Sequence, residues 1–254
     1  MTASMRPLLF AWQFLTAVPL SRDHHEPAAD ELADSMYWYP FVGMLLGGLL
    51  AAFDLALSHW MPREVVSALV IVLLITLTRG LHQDGLADTL DGLAGGRNPT
   101  DRLAIMRDPH IGAIGATGLF VALIVRYAAL VSLPDAMRFV ALLCMPAIGR
   151  WAMVVGAYKA TYARSEGGLG APFLLHLRIR HVVGSTIVVG CLVMWAFGLV
   201  RGATILLIGA AFIRLMTIFC HRFFAGVTGD TLGAMNEIVE IMFLLSIPFL
   251  ESHG

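Results

Sequence analysis

The chain has 254 residues, of which 58% are hydrophobic and only 14% charged, and its net charge is −1. Mean hydropathy is +0.77. A soluble domain carries about 25% charged and roughly 45–50% apolar residues, so the excess places the chain among membrane proteins. A charge this close to zero excludes nucleic acid bound through bulk basicity. Cys144, Cys191 and Cys220 stand alone in apolar stretches, which excludes a disulfide framework or a Cys/His zinc site.

In chain order, the first element is a short helix from Pro7 to Leu20. Arg6 followed by an apolar run resembles a signal peptide, but Gln13 interrupts the run and no small-x-small cleavage pattern precedes Ser21. The segment is shorter than the roughly 20 residues a span needs, so it reads as a retained re-entrant or interfacial helix. Apolar runs then predict about seven transmembrane helices: Tyr37–Leu57, Val65–Leu81, Ile111–Leu133, Phe139–Tyr158, Val182–Val200, Ala203–His221 and Ile238–Leu250. The expected fold is all-α, a polytopic helical membrane protein built as a single integral-membrane domain.

Short turns alternate with long polar stretches at Ser21–Met36, His82–His110, Lys159–His181 and Arg222–Glu237. Seven spans put every long stretch on one side, together with Arg22, Arg97, Arg102, Arg107, Lys159, Arg164, Arg178, Arg180 and Arg222. The other side carries Arg63, Arg138 and Arg201. The positive-inside rule then faces the long stretches to the cytoplasm, across a bacterial inner membrane. The glycines of Gly43-Met44-Leu45-Leu46-Gly47-Gly48 read as a close helix-packing surface.

Asp84, Asp88 and Asp91 are spaced i, i+4, i+7, which puts them on one helical face. Three ionised carboxylates beside a bilayer repel one another and mark a function. A divalent cation removes the repulsion, and oxygen ligands suit Mg²⁺ or Mn²⁺. Gly85 and Gly92 are expected to leave room for substrate against the backbone. Downstream, Arg97, Arg102 and Arg107 suit phosphate contacts, although cytoplasmic loops are rich in arginine for topological reasons alone.

A second polar segment, Thr228-Gly229-Asp230, presents Asp230 from a tight loop, with Glu237 and Glu240 following on a compatible helical face. Arg126, Arg150 and Arg214 fall inside predicted spans and need partners there. Arg150 is expected to face the bundle interior, pairing with the acids or reaching a phosphate. Arg126 and Arg214 read as structural ion-pair partners. The glycine-rich stretch Tyr162–Gly170 reads as a phosphate cradle or a cover over a site. Trp38, Trp151 and Tyr158 are either pocket-lining or core residues.

The segment Gly80-Leu81-His82-Gln83-Asp84-Gly85-Leu86-Ala87-Asp88-Thr89-Leu90-Asp91-Gly92 resembles the signature of cobalamin synthases, also called adenosylcobinamide-GDP ribazoletransferases. Ala104–Gly115 and Thr228–Ala234 resemble further parts of that signature, and Phe14–Pro19 and Tyr39–Gly43 look like the family's N-terminal region. The resemblance implies that a hydroxyl of α-ribazole, or of its 5′-phosphate, attacks the corrinoid-side phosphorus of adenosylcobinamide-GDP and releases GMP. It also implies a requirement for Mg²⁺.

On this reading Asp84, Asp88 and Asp91 are metal ligands, and one of them or Asp230 accepts the nucleophile's proton. Arg97 and Arg107 hold phosphate, and Asp108, Arg150, Lys159 and Glu237 complete the substrate contacts. The lipid bilayer is the remaining partner. The number of metals, the identity of the base and a homo-oligomeric state stay open. The same acids partly resemble CDP-alcohol phosphotransferases, whose signature begins Asp-Gly-x-x-Ala-Arg, but here Asp88 follows Ala87. A cation-coupled transporter is the non-enzymatic alternative.

Overall fold

The computed structural model describes residues 5–20, 27–168 and 170–251. They form α1 (Arg6–Leu15), α2 (Ala29–Ser35), α3 (Tyr39–Leu57), α4 (Arg63–Thr78), α5 (Leu81–Gly95) and α6 (Pro99–Ile105). The chain continues through α7 (Ala113–Val131), α8 (Asp135–Ala157), α9 (Ala171–Leu175), α10 (Ile179–Phe197), α11 (Leu199–Phe224) and α12 (Gly229–Glu251). A single 3₁₀ turn, Met36–Trp38, joins α2 to α3. Prolines open several helices where a missing N–H costs nothing: Pro40 in α3 and Pro99 in α6 lie in the first turn, and Pro62 and Pro134 cap α4 and α8.

Six helices are long and apolar enough to cross a membrane, and a bent pair makes up to seven. Helix α8 is the axis of the bundle: 78% of its apolar window is buried, against 17% for α11. The outer face of α11 shows Leu207, Ile208, Leu215 and Ile218 to the surroundings, as a lipid-facing helix does. Gly43 and Gly47 of α3 lie directly against the α8 backbone at Pro146 and Leu143, where any Cβ would collide. Those two glycines are the packing surface expected from the sequence. Gly48 points elsewhere and meets only the Leu143 side chain, at 3.8 Å.

The second predicted span, Val65–Leu81, is not one straight helix. α4 stops at Thr78 and α5 departs at 90°. Arg79 (φ 56°) and Gly80 (φ 68°) both take the left-handed conformation at the corner, which costs a non-glycine residue about 1 kcal/mol or more. The end of α1 holds the corner in place. The Arg79 guanidinium donates to the Gln13 carbonyl at 3.1 Å and the Thr16 carbonyl at 2.9 Å. The Ala17 amide donates to the Leu77 carbonyl at 2.6 Å. The short N-terminal helix is therefore a brace for the elbow that launches α5.

At the bundle end away from that elbow, Asp54 of α3 and Arg138 of α8 form a buried pair at 2.6 Å. Arg138 also reaches Ser67 of α4 and the Leu130 carbonyl of α7, tying four helices. Arg138, placed from the sequence on the side away from the long polar stretches, is a buried structural cation. Cys144 and Cys220 are buried and Cys191 is exposed, all three as free thiols.

Candidate active site

The opposite end of the bundle collects the carboxylates. Asp84, Asp88 and Asp91 follow one face of α5, as their spacing predicts, but their surroundings differ. Asp84 is exposed on a ridge between two clefts, both also lined by Phe14 and Leu81. One is a cavity of about 120 Å³ walled by Met36, Tyr39, Phe173 and Asp230. The other is a more open cleft of about 510 Å³ beside Arg79, Gln83 and Ile111. Asp88 is half-buried, within electrostatic reach of Asp84, Asp91 and Asp230.

Asp91 is engaged. Its two oxygens accept the Gly112 amide at 2.8 Å and the Gly115 amide at 2.7 Å. It thus caps the start of α7, where unpaired N–H groups and the helix dipole favour an anion. A Cβ on Gly112 or Gly115 would strike the Asp91 carboxylate, which gives those two glycines a physical reason. Nearby, Asp108 accepts the His110 backbone amide at 2.9 Å and its ring at 2.7 Å, contacts that hold its carboxyl below the usual range. Asp91, Asp108 and His110 share a broad open cleft of about 710 Å³.

Gly85 and Gly92 do not make room for a substrate, as the sequence reading expected; other helices fill those places. A Cβ on Gly85 would lie 2.7 Å from the Asp230 carbonyl oxygen, because α12 crosses α5 there. A Cβ on Gly92 would lie 2.6 Å from the Met106 side chain and 2.9 Å from the Arg102 carbonyl. The crossing at Gly85 is what brings Asp230, at the start of α12, to the Asp84–Asp88 face.

Asp230 is held by Arg164 at 2.8 Å and lies near the Thr228 hydroxyl, 3.4 Å away. Arg164 belongs to the glycine-rich loop between α8 and α9. That loop is stapled to the α11–α12 turn by an isolated bridge between Tyr162 and Val227. The Ala163 amide donates to the Val227 carbonyl and the Val227 amide to the Thr161 carbonyl, both at 2.9 Å. The next loop acid, Glu166, pairs with Arg107 at 3.0 Å.

Of the remaining cations, Arg97 is exposed at the α5–α6 turn. Arg102 serves structure, donating to the Phe223 carbonyl at 2.8 Å and lying over the Phe223 ring. Lys159 is exposed and lies over the Tyr158 ring. Arg150 and Glu237 are both fully buried in a network beneath α5 and line neither cleft around Asp84. Arg150 there takes the first of its two expected roles, pairing with an acid. Arg126 lies 3.0 Å from Glu237 and 2.9 Å from Glu240, and Arg150 pairs with Glu240. His82 meets Arg150 at 3.3 Å, and Gln83 donates to Glu237 at 3.1 Å. Arg126 is thus the structural partner expected from its position, whereas Arg214 stays on the exposed side of α11. Trp151 is a core residue, donating to Thr186 at 2.9 Å.

Sequence reasoning missed Arg164 as a site residue, and His82, Gln83 and Asn236 as parts of the network. His82 and Gln83 adjoin Asp84 in the signature segment, which was the available signal. Among the described residues, no three His, Cys, Asp or Glu side chains gather closely enough to ligate a metal on their own.

Fold and site together define a class: a polytopic helical membrane protein with a row of acids, flanked by arginines, opening into clefts at one end of its bundle. The chain belongs to the cobalamin-5-phosphate synthase family, whose profile matches residues 7–248. An adenosylcobinamide-GDP ribazoletransferase of Syntrophobacter fumaroxidans is 42% identical over 217 residues, covering 84% of this chain and 86% of that protein. Proteins of the same description from Desulforamulus reducens and Pseudomonas fluorescens are 39% and 36% identical, each covering more than nine-tenths of this chain. No solved structure matches the chain.

Proposed function

We propose that the chain is an adenosylcobinamide-GDP ribazoletransferase, acting as one domain in the bacterial inner membrane with its acid face toward the cytoplasm. The observation that carries this reading is the state of Asp84 and Asp88. Neither side chain has a hydrogen-bond or ion-pair partner among the described residues; Asp84 lines two clefts, and Asp88 lies half-buried one turn further along the same face of α5. Acids left unpaired beside a membrane need a ligand. Arg164, within electrostatic reach of Asp88, and the arginines Arg97 and Arg107 of the neighbouring loop segment are the complement of a phosphate-bearing one.

In the reaction, a hydroxyl oxygen of α-ribazole or its 5′-phosphate forms a new bond to the corrinoid-side phosphorus. The bond from that phosphorus to the bridging oxygen breaks, and GMP leaves with that oxygen. The hydroxyl proton passes to a free carboxylate oxygen of the α5 face. The guanidinium groups hold phosphate oxygens in line for displacement.

The donor set fits Mg²⁺ in one specific form. With Asp91 committed to α7 and Asp230 to Arg164, Asp84 and Asp88 remain. Two carboxylates completed by substrate phosphates are a common way to hold this ion. When bound, it would neutralise charge on the pyrophosphate. Positive charge in the connections at this end, including Arg97, Arg102, Arg107, Arg164, Arg178 and Arg222, supports the cytoplasmic orientation.

The test uses purified protein in lipid nanodiscs with adenosylcobinamide-GDP, α-ribazole and Mg²⁺. GMP release that depends on all three is expected. Folded protein that releases none overturns the assignment.

A further inference from the structure

Arg164 is a site residue that its own surroundings leave half used. Its Nη2 donates to Asp230 at 2.8 Å, while its Nε is buried and has no hydrogen-bond partner among the described residues. The side chain is 15% exposed and that of Asp230 26%, so the pair sits at the edge of the site. Guanidinium is built for two parallel bonds to one anion. A buried guanidinium N–H left unpaired is costly, so a ligand that satisfies it gains over the resting pair. The backbone that carries Arg164 is fixed by the Tyr162–Val227 bridge, and Gly226 permits that bridge because a Cβ there would collide with the Thr161 carbonyl. The anchor is therefore firm while the side chain has an alternative.

Asp230 lines the same cavity as Asp84. A pyrophosphate approaching Asp84 and Asp88 must come close to the Arg164–Asp230 pair. Like charges there repel, and the Arg164 cation is already bound to an acid.

We propose that Arg164 is the pyrophosphate-binding residue of this site, held on Asp230 while the site is empty and transferred to a substrate phosphate oxygen on binding. The exchange does two things at once. It supplies the phosphate with the paired donors of a guanidinium, including the idle Nε. It also frees the Asp230 carboxylate, which stays beside the Thr228 hydroxyl and turns toward the Asp84–Asp88 face. Asp230 thus acts as a placeholder that lowers affinity for the pyrophosphate substrate, and its carboxylate is released from Arg164 only when that substrate is present. The inference rests on the transferase reading above and names the residue that selects its activated substrate.

The experiment is a double-mutant cycle on the whole protein in nanodiscs, measuring binding of adenosylcobinamide-GDP with Mg²⁺ and without α-ribazole, so that nothing turns over. Arg164→Gln is expected to weaken binding about tenfold or more. Asp230→Asn alone is expected to tighten it about three- to tenfold, because Arg164 no longer leaves a partner. In the Arg164→Gln background the same Asp230→Asn change is expected to shift affinity less than about twofold. If its gain persists undiminished there, Asp230 merely repels the substrate and the exchange is wrong. If Arg164→Gln does not yield folded protein, Arg164→Lys replaces it. Lysine keeps the charge without the fork, so a reduced Asp230→Asn gain supports the exchange and an unchanged gain overturns it. Wild-type protein that neither binds the substrate nor releases GMP counts against the transferase reading itself; normal turnover with no coupling counts only against Arg164.

Discussion

The protein holds two sets of carboxylates a few turns apart, and they are treated in opposite ways. Glu237 and Glu240 are fully buried, and arginines lie against both: Arg126 against each, and Arg150 against Glu240. Two cations balance two anions, and Gln83 and Asn236 add hydrogen bonds. Asp84 and Asp88 have no ion-pair partner among the described residues, the Arg164 charge reaching Asp88 only from a distance, although the same helix carries His82 and Gln83 into the buried set. The difference teaches where each charge acts. Charges inside the bundle must be neutralised by the protein, because an unpaired buried ion is costly. Charges at the cleft are left for a ligand. The buried set fixes the start of α5, and so the direction in which Asp84 and Asp88 are offered.

Breaking the buried set should have the largest effect on stability. Glu240→Gln leaves two arginines facing one acid, and loss of one partner in a buried pair costs about 3–5 kcal/mol. A lower unfolding temperature and reduced yield of folded protein are expected; unchanged thermal unfolding would show that the network is not compensating charge. Gly85→Ala comes next. Its methyl group meets the Asp230 backbone at 2.7–3.0 Å, so α12 must shift from α5, at about 1–3 kcal/mol. GMP release should fall by at least about tenfold, since misplacement of a reacting group is expensive in rate.

Asp91→Ala sharpens the contrast within α5 itself. It removes the cap on α7 and should cost about 0.5–2 kcal/mol, measured as a lower unfolding temperature, whereas asparagine at Asp84 should cost none. The smallest effect is expected at the far end. Arg63 pairs with Asp135 at 2.5 Å, but Asp135 is 92% exposed. Asp135→Asn should change stability by less than about 1 kcal/mol and leave GMP release unaltered.

Much of this was legible in the sequence. Six of the seven predicted spans correspond to long helices, and the i, i+4, i+7 acids do share a face of α5. Periodicity and hydropathy are local properties, and these features are local. The elbow at Arg79-Gly80 was hidden because the apolar run continues through it; distant contacts from Gln13, Thr16 and Ala17 brace the chain there. The roles of Gly85, Gly112 and Gly115 were misread or unseen because each faces another segment. Gly112 and Gly115 face Asp91, and Gly85 faces Asp230 far along the chain. Arg150 and Glu237 read as site residues because spacing shows a face but not what that face meets. Arg164 was hidden by company, one arginine in an arginine-rich set of loops. Its pairing with Asp230 depends on the Tyr162–Val227 bridge, which no spacing rule announces.

The central claim is that Asp84 and Asp88 are left unpaired for the reaction and not for the fold. It is tested most directly by comparing GMP release and thermal unfolding for the wild type and Asp84→Asn, with adenosylcobinamide-GDP, α-ribazole and Mg²⁺. The account predicts that turnover drops by at least about a hundredfold, while the unfolding temperature stays the same or rises. Turnover at the wild-type rate, or a loss of activity that tracks a loss of folded protein, would contradict it.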